Sequence, residues 1–324
     1  MVSSTIDLEV RFAEAMKSIA RRADLKGYVE QTPAVYQLLQ RAAAKYVSGE
    51  ERKDALEAGQ RLADKGYALS LEYIGENATD ALVCEAAAFE LSGLIHALAE
   101  QGVAARVSFD LSHIGLSLDD ELAYKHLAVL AEQAQDADIE LFISMEESVK
   151  TDAILAIYKK AAAAYSNLGI TIQAQLNRTK QDLSDLQSAP GRIRIVKGAY
   201  QEPEQLSIPR STALNERYVQ LIDQAIRMGH RLSIATHDQS LIDEVIKRGW
   251  IDKPGVEFEL LYGIRPDLAS ELRQAGYPVR IYLTYGRGWY LYLCHRIAEY
   301  PPNLYQAILD MTSTEKVNPL LDYL

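Results

Sequence analysis

The chain has 324 residues, of which 48% are hydrophobic and 24% are charged, and its formal net charge of −11 gives an isoelectric point near 5.1. This is the composition of a soluble globular protein, long enough for two ordinary domains or one large barrel. The acidic balance argues against broad nucleic-acid binding, which requires a basic surface.

The two cysteines, Cys84 and Cys294, lie far apart in apolar helical patterns, which predicts reduced, buried thiols and no disulfide framework. The N-terminal stretch MVSSTIDLEVRFAEAMKSIARRADLKG carries acids within an amphipathic pattern and has no apolar signal core. Uncharged runs in the chain are too short or too polar to span a bilayer. These features predict a cytoplasmic protein, and a peripheral position at the inner face of the membrane stays open.

Residues 1–63 are predicted to be helical. The stretch LLQRAAAKYVSGEERKDALEAGQRLADKG has helical periodicity, with a break at Gly49 and a second helix that ends at Gly66. We therefore expect an N-terminal helical arm over residues 1–63 and a second unit over residues 64–324.

From residue 67 onward, short β-rich runs alternate with helical stretches. The predicted strands cover residues 67–76, 106–115, 138–148, 170–179, 192–200, 231–238, 256–265 and 279–288. Eight strands alternating with helices predict an α/β fold of the (β/α)8 TIM-barrel type. An open doubly wound sheet is the alternative, but it usually has a glycine-rich phosphate turn after an early strand. The G-x-G in YGRGWY lies near the end of the chain and lacks a third glycine.

Polar and apolar side chains alternate along these runs. In the second strand Val107 and Phe109 alternate with Ser108 and Asp110. In a barrel the apolar set contacts the outer helices and the polar set points inward. Because a barrel interior is normally filled with branched apolar residues, a polar interior predicts a wet ligand cavity toward the carboxyl ends of the strands.

Several segments resemble the proline dehydrogenase family: RIRIVKGAY, IATHD, EFELLYGIR and VRIYLTYGRGWYLYLCHRIAEYPPN. The similarity also covers YVSGE and LEYIGE, so it runs over most of the chain in order. The resemblance implies a (β/α)8 barrel that binds FAD and removes a hydride from the carbon next to the nitrogen of proline, leaving a cyclic imine. The electrons then pass to a quinone or another acceptor.

The resemblance also implies which residues contact the cofactor: Gln173, Arg194, Lys197, Tyr200, Thr236 and His237. A reduced flavin carries negative charge, which nearby arginine and lysine stabilise. Strict alternation places Arg194 and Lys197 on opposite faces, so the strand must end between them if both are to contact the cofactor.

On the substrate side, the resemblance assigns catalytic roles to Tyr282, which packs over the substrate ring, and to Arg296 and Glu299 on a substrate-binding helix.

Three substrate-binding positions depart from the family pattern. His295 replaces the first of two adjacent arginines, Asp110 replaces a lysine, and Ser144 replaces an aspartate. In the family, the arginines and the lysine hold the substrate carboxylate. Because histidine cannot reproduce the bidentate grip of arginine, these changes predict a substrate that lacks the free carboxylate there, or carries a neutral or cationic group.

Two functions from different classes follow. The first is an FAD-dependent oxidoreductase acting on proline or a modified proline-like secondary amine, with a quinone or other electron acceptor. The second is a flavin-binding barrel that has lost turnover and acts as an accessory or binding protein; the retained Tyr282, Arg296 and Glu299 favour the enzyme. A metal-dependent hydrolase ranks third, because the histidines and cysteines form no metal-ligand spacing. No nucleic-acid or metal partner is expected, and a homo-oligomer stays open.

Overall fold

Parallel strands form a closed barrel in the computed structural model, which describes residues 2–20, 22–189, 191–300, 302–313 and 318–324. The strands are β1 (Ala68–Tyr73), β2 (Ala105–Phe109), β3 (Leu141–Ile143), β4 (Leu168–Gln173), β5 (Ile193–Val196), β6 (Leu232–Ala235), β7 (Val256–Leu261) and β8 (Val279–Tyr285). Each strand pairs with the next, and β8 pairs with β1. The predicted (β/α)8 barrel is therefore confirmed.

Helices precede, separate and follow the strands. They are α1 (Val2–Ala20), α2 (Ala23–Gln31), α3 (Pro33–Ala43), α4 (Arg52–Asp64), α5 (Ala81–Gln101), α6 (Asp120–Asp136), α7 (Thr151–Ala162), α8 (Thr179–Asp185), α9 (Thr212–Arg227), α10 (Gln239–Lys247), α11 (Pro266–Gln274), α12 (Trp289–Glu299) and α13 (Asn303–Thr312). Short 3-10 turns occupy Leu111–His113, Ser148–Lys150 and Pro319–Asp322.

The strands are shorter than the sequence predicts, chiefly at their carboxyl ends. β2 ends at Phe109 and β3 spans Leu141–Ile143, whereas the predicted runs continue to residues 115 and 148. The alternation of side chains continues beyond the strand ends because the following residues also divide between the barrel mouth and the outer shell. The predicted boundaries were wrong for this reason, although the facing of the side chains was right.

The apolar face of each strand packs against the outer helices in one core. Leu71, Val107, Ile170, Ile234 and Leu283 are all fully buried members of this cluster. Burial of a side chain of this size contributes about 1.5–3 kcal/mol relative to exposure. The outward apolar face is thus the main source of barrel stability, and it leaves the inward face to polar residues.

Helix α4 occupies the outer position between β8 and β1, since it packs against both strands and contributes Ala55 and Leu62 to the barrel core. The chain after β8 therefore does not fill that position. Instead α12 lies over the carboxyl mouth, where it meets α1 and α3 in a second apolar cluster that includes Tyr46, Trp289 and Ile297. The predicted boundary at residue 63 stays a prediction, although α4 contributes to the barrel core.

Helix α5 is long and apolar enough to cross a membrane by length and hydropathy alone. In the structure it packs on the barrel, and its buried face includes Cys84, Leu91 and Leu98. Both Cys84 and Cys294 are buried free thiols, as the sequence predicts.

Candidate active site

A small cavity of about 200 Å³ lies between α12 and the carboxyl ends of the first strands. It brings together five of the predicted site residues: Asp110, Ser144, Tyr200, His295 and Arg296. The cavity is smaller than the pockets that hold drug-sized ligands, so its dimensions suit a small substrate.

Arg296 and Glu299 form an ion pair one turn apart on α12. The Nη2 of Arg296 donates to Oε1 of Glu299 at 2.9 Å, and its Nη1 lies 2.9 Å from Oε2 in the ion pair. The guanidinium also lies over the ring of Tyr292, 4.8 Å from its centroid. The side-chain Nε of Arg296 is buried and has no hydrogen-bond partner among the described residues. One face of the cation is therefore occupied by Glu299, while one donor remains unused.

Three carboxyl groups face the cavity from the strand side. Glu72 ends the inward row of β1, Glu76 follows that strand, and Asp110 follows β2. Burial raises the pKa of Glu72 to about 7, against the attraction of Arg194 and Arg296. Burial and neighbouring carboxylates also raise the pKa of Asp110 and of Glu76.

A neighbouring carboxylate, Glu146, is balanced within the protein. Lys150 pairs with Glu146 at 2.6 Å and with Glu147 at 2.8 Å. The other oxygen of Glu146 accepts from the backbone N–H of Ser112 at 3.0 Å. Glu146 is thus a structural support beside the cavity, and the cation that balances it is already engaged.

Tyr200 joins the cavity wall from the loop after β5. Its hydroxyl donates to Glu76 at 3.4 Å, and its backbone carbonyl accepts from Gln175 at 3.3 Å. Gly198 makes this turn possible: its φ is +108°, and a Cβ there would lie 2.3 Å from the side chain of Gln175.

Below the cavity, Arg194 closes the barrel interior. Its guanidinium donates to both oxygens of Glu259, at 2.7 and 2.9 Å, and to the hydroxyl of Ser108 at 3.1 Å. The rings of Phe142 and Tyr282 lie 4.3 and 4.7 Å from it. The polar set therefore points inward as predicted, but at this level it forms a packed ionic layer, and the cavity described above lies at the mouth.

Lys197 lies beyond the end of β5, so the strand does end between it and Arg194. The ammonium pairs with Asp238 at 2.7 Å. Burial opposes the ionised form of Asp238, but hydrogen bonds from Lys197 and Ser240 lower its pKa to about 2. Arg194 and Lys197 consequently belong to different layers of the site.

His237 and Thr236 follow β6. The Nε2 of His237 accepts from the backbone N–H of Leu261 at 3.0 Å, which leaves the proton on Nδ1. Burial, with Arg296 and Arg265, lowers the pKa of His237 to about 3, so the ring is neutral. The hydroxyl of Thr236 accepts from the backbone N–H of Asp238 at 3.1 Å.

Gln173 is the last residue of β4 and is buried. Its amide nitrogen donates to the carbonyl of Glu146 at 2.7 Å, and its oxygen accepts from Gln175 at 3.1 Å. With Lys197, Thr236 and His237, it places amide, ammonium, hydroxyl and imidazole groups at adjacent carboxyl ends of β4, β5 and β6. This donor set fits the polar edge and phosphates of a flavin nucleotide.

Sequence reasoning missed Glu72 and Glu76 as site residues. Glu72 carries a recognisable signal, because it shares the inward phase of Ser70 between Leu71 and Tyr73. Glu76 lies after the strand, where side-chain periodicity gives no information, and only the folded loop brings it to the cavity.

A wider cleft of about 780 Å³ lies outside the barrel, between α3, α4 and the turn Pro319–Asp322. The residues that line it include none of those predicted for the site, so size alone does not identify the functional cavity. Among the described residues, no group of three or more His, Cys, Asp or Glu side chains is placed to hold a metal ion.

Comparison with known proteins identifies relatives over most of the chain. The family model described as proline dehydrogenase matches residues 55–300. Proline dehydrogenase 2 of Bacillus subtilis is 32% identical over 274 residues, which cover 84% of this chain and 90% of that protein. Proline dehydrogenase of Deinococcus radiodurans is also 32% identical, over 85% of this chain and 93% of its own length.

Solved structures share the fold. Proline utilization A from Bdellovibrio bacteriovorus superposes with a TM-score of 0.76 at 16% identity, covering 96% of this chain and 40% of that longer protein. The Bradyrhizobium japonicum protein of the same name gives a TM-score of 0.69 at 19% identity, over 86% of this chain and 32% of its own.

Proposed function

We propose that this chain, which belongs to the proline dehydrogenase family, uses FAD to oxidise a small proline-type secondary amine at the mouth of its barrel. The chain is a proline dehydrogenase-like oxidoreductase, and the family is flavin-dependent. The observation that supports the finer assignment is the cavity between α12 and the strand ends, which joins Arg296 to Asp110 and Ser144 beside the donors of β4 to β6.

The proposed reaction removes a hydride from the carbon next to the amine nitrogen and gives an imine. When bound, the flavin accepts that hydride. The protein contributes position: α12 covers the mouth and excludes water, and the cavity holds a small ring against the donors below.

Each substrate-side residue has a proposed role. Tyr282 packs its aromatic face against the substrate ring, and its ring lies 4.7 Å from the guanidinium of Arg194. Arg296 contacts the substrate from α12, and Glu299 fixes its guanidinium. Ser144 and His295 shape the cavity wall on opposite sides.

On the cofactor side, we propose that Gln173, Lys197, Thr236 and His237 hold FAD through hydrogen bonds and charge. Tyr200 lies on the wall of the substrate cavity, so its contact with FAD would be at the boundary of the two sites. Contact between Arg194 and FAD stays a prediction, because Glu259 occupies that guanidinium.

The reduced enzyme needs an acceptor, and we propose a quinone or another electron carrier. A cytoplasmic location, with or without peripheral contact at the inner membrane face, is likewise a prediction from the sequence. A homo-oligomeric state stays open.

The test is the colour of the purified protein and its response to amines without oxygen. We expect a yellow protein whose absorbance is bleached by at least one member of a panel containing proline, hydroxyproline, pipecolate, and proline esters and amides. A colourless protein that cannot be loaded with FAD would contradict the cofactor assignment. A yellow protein that no amine bleaches would contradict the enzyme assignment.

A further inference from the structure

The cavity wall is acidic on the side that would receive the amine. Glu72, Glu76 and Asp110 contribute carboxyl groups, whereas the basic side chains on the wall are Lys17, His295 and Arg296. Arg296 is already offset by Glu299 through its two terminal nitrogens. The two terminal nitrogens with which Arg296 could hold a substrate carboxylate in bidentate fashion are therefore already engaged by Glu299.

Lys150, a further cation beside the cavity, does not neutralise these carboxyl groups. Lys150 influences both Glu76 and Asp110, but its ammonium is engaged by Glu146 and Glu147 and also donates to Asn77. A substrate carboxylate that entered beside Asp110 would lie close to the carboxyl groups of Asp110, Glu72 and Glu76. Such like-charge contact is unfavourable.

A second observation points to a hydrogen-bond acceptor on the ligand. Arg296 lines the cavity and is 7% exposed, yet its Nε–H has no hydrogen-bond partner among the described residues. A buried donor left unpaired is costly, so a bound ligand that offers one oxygen at this position would remove the penalty. A carbonyl oxygen meets that requirement, as a carboxylate oxygen also would, so the acids of the wall decide between the two.

We infer that the cavity selects a proline-type amine whose carboxyl group is masked as an amide or ester. The ring ammonium lies against Glu72 and Asp110, and the carbonyl oxygen of the masked group accepts from Nε of Arg296. This inference rests on the proposed function, because it takes the cavity to be the substrate site.

The groups that act on the carboxyls of Glu72 and Asp110 lie on several different strands, helices and loops. Glu72 is faced by Tyr282 from β8, Arg194 from β5, Arg296 from α12 and Glu76 from its own loop. Asp110 is faced by Glu146, Glu72, Glu76 and Lys150. A cationic ligand relieves the mutual repulsion of the carboxylates, while a free carboxylate adds to it.

The acids also give the amine proton a destination. The ring ammonium transfers one proton to a cavity carboxylate, and bound FAD would then be the acceptor for the hydride that the neutral amine gives up from the adjacent carbon. The nitrogen lone pair forms the new C=N bond, so the product leaves as a protonated imine. A carboxyl group with a pKa near neutrality is suited to accept that proton.

The experiment compares two ligands of nearly equal size, L-prolinamide and L-proline, by calorimetric binding to the FAD-loaded enzyme under conditions without turnover. We expect L-prolinamide to bind at least about tenfold more tightly, because repulsion by the acids opposes the free carboxylate. Asp110→Asn should remove most of this preference. Glu244→Gln, on the exposed face of α10, is the matched acid-to-amide control and should retain it.

Equal or tighter binding of L-proline, absence of binding by both ligands, or an unchanged preference in Asp110→Asn would each overturn the inference. A failure of the proposed function can be distinguished from a failure of this inference. If L-prolinamide binds as expected but no amine bleaches the flavin, the selectivity stands and the proposed dehydrogenase chemistry is wrong. If L-proline bleaches the flavin and also binds more tightly, the chemistry stands and the selectivity is wrong.

Discussion

Both ends of the barrel interior contain buried acids, but the pKa values of these acids shift in opposite directions at the two ends. At the amino end, Glu257 is surrounded by Arg106, Arg192 and Arg280. Burial alone would raise the pKa of Glu257, but these three arginines hold it well below its ordinary value. At the carboxyl end, burial and like charges raise the pKa of Glu72 and Asp110.

The difference separates structural charge from functional charge. At the amino end both oxygens of Glu257 accept hydrogen bonds from arginine, and Ser233 and Glu140 extend the network. The carboxyl-end acids Glu72 and Asp110 open onto a cavity, and burial and neighbouring carboxylates outweigh the cations near them. Perturbed acids that face open space are candidates for substrate contact, whereas equally buried acids within a satisfied network are supports.

The largest expected effect is the loss of folding stability caused by a substitution in the ionic network at the amino end. Glu257→Gln keeps the shape of the side chain but leaves three buried arginines with less negative charge. We expect the free energy of unfolding to fall by about 3–5 kcal/mol, the usual cost of breaking a buried ion pair. Denaturant titration measures this, and a loss below about 1 kcal/mol would show that the network is not a structural support.

At the carboxyl end, the same kind of change should act on activity. Asp110→Asn removes a buried carboxylate from a repulsive group, so we expect no loss of folding stability. Amine oxidation should fall at least about tenfold, equivalent to about 1.4 kcal/mol of transition-state stabilisation. Steady-state kinetics and denaturant titration on one preparation check both parts; a destabilised variant with normal kcat/KM would reverse the assignment.

The pH dependence of stability distinguishes the two ends further. The raised pKa of Glu72, about 7 against an ordinary 4.5, means that the folded state retains a proton that the unfolded chain has lost. This group therefore lowers stability as pH rises from about 4.5 to 7. We expect Glu72→Gln to gain about 1 kcal/mol relative to wild type between pH 5 and 7.5.

Glu257 has the opposite sign, because its pKa is depressed. Its stabilisation is present above the unfolded pKa and is lost as pH falls through the folded pKa. Acid unfolding should therefore begin at the amino end. The prediction for Glu72 is contradicted if the variant and wild type have parallel stability curves between pH 5 and 7.5.

The smallest effect is expected on the surface. Glu244 pairs with Arg248 on α10, with side chains 31% and 44% exposed. Glu244→Gln should change the free energy of unfolding by less than about 0.5 kcal/mol and leave kcat/KM unchanged. A larger change would mean that removing any carboxylate alters stability or activity. The different effects expected at the two ends of the barrel interior could then not be assigned to their surroundings.

Much of this molecule could be predicted from periodicity. Alternation along β2 and β4 predicts which side chains face inward, and the regular recurrence of strands predicts the barrel. The position of α12 over the mouth could not be derived in this way, because it depends on α4 filling the outer position between β8 and β1. The two helices concerned, α4 and α12, lie more than 200 residues apart in the sequence.

The site was predicted unevenly for the same reason. Asp110, Ser144, His295 and Arg296 follow from motif positions, and the fold brings them to one cavity. The partner of Arg194 was not foreseen, because the pairing with Glu259 joins β5 to β7 across the interior. A motif places each residue on its strand, but ion pairing across the barrel decides which groups remain available to a ligand.

The most direct measurement is the anaerobic rate at which the bound flavin loses its yellow absorbance with L-prolinamide and with L-proline at equal concentrations. An acidic substrate cavity predicts faster bleaching by L-prolinamide, with the advantage reduced in Asp110→Asn. Faster bleaching by L-proline, unaffected by Asp110→Asn, would contradict it.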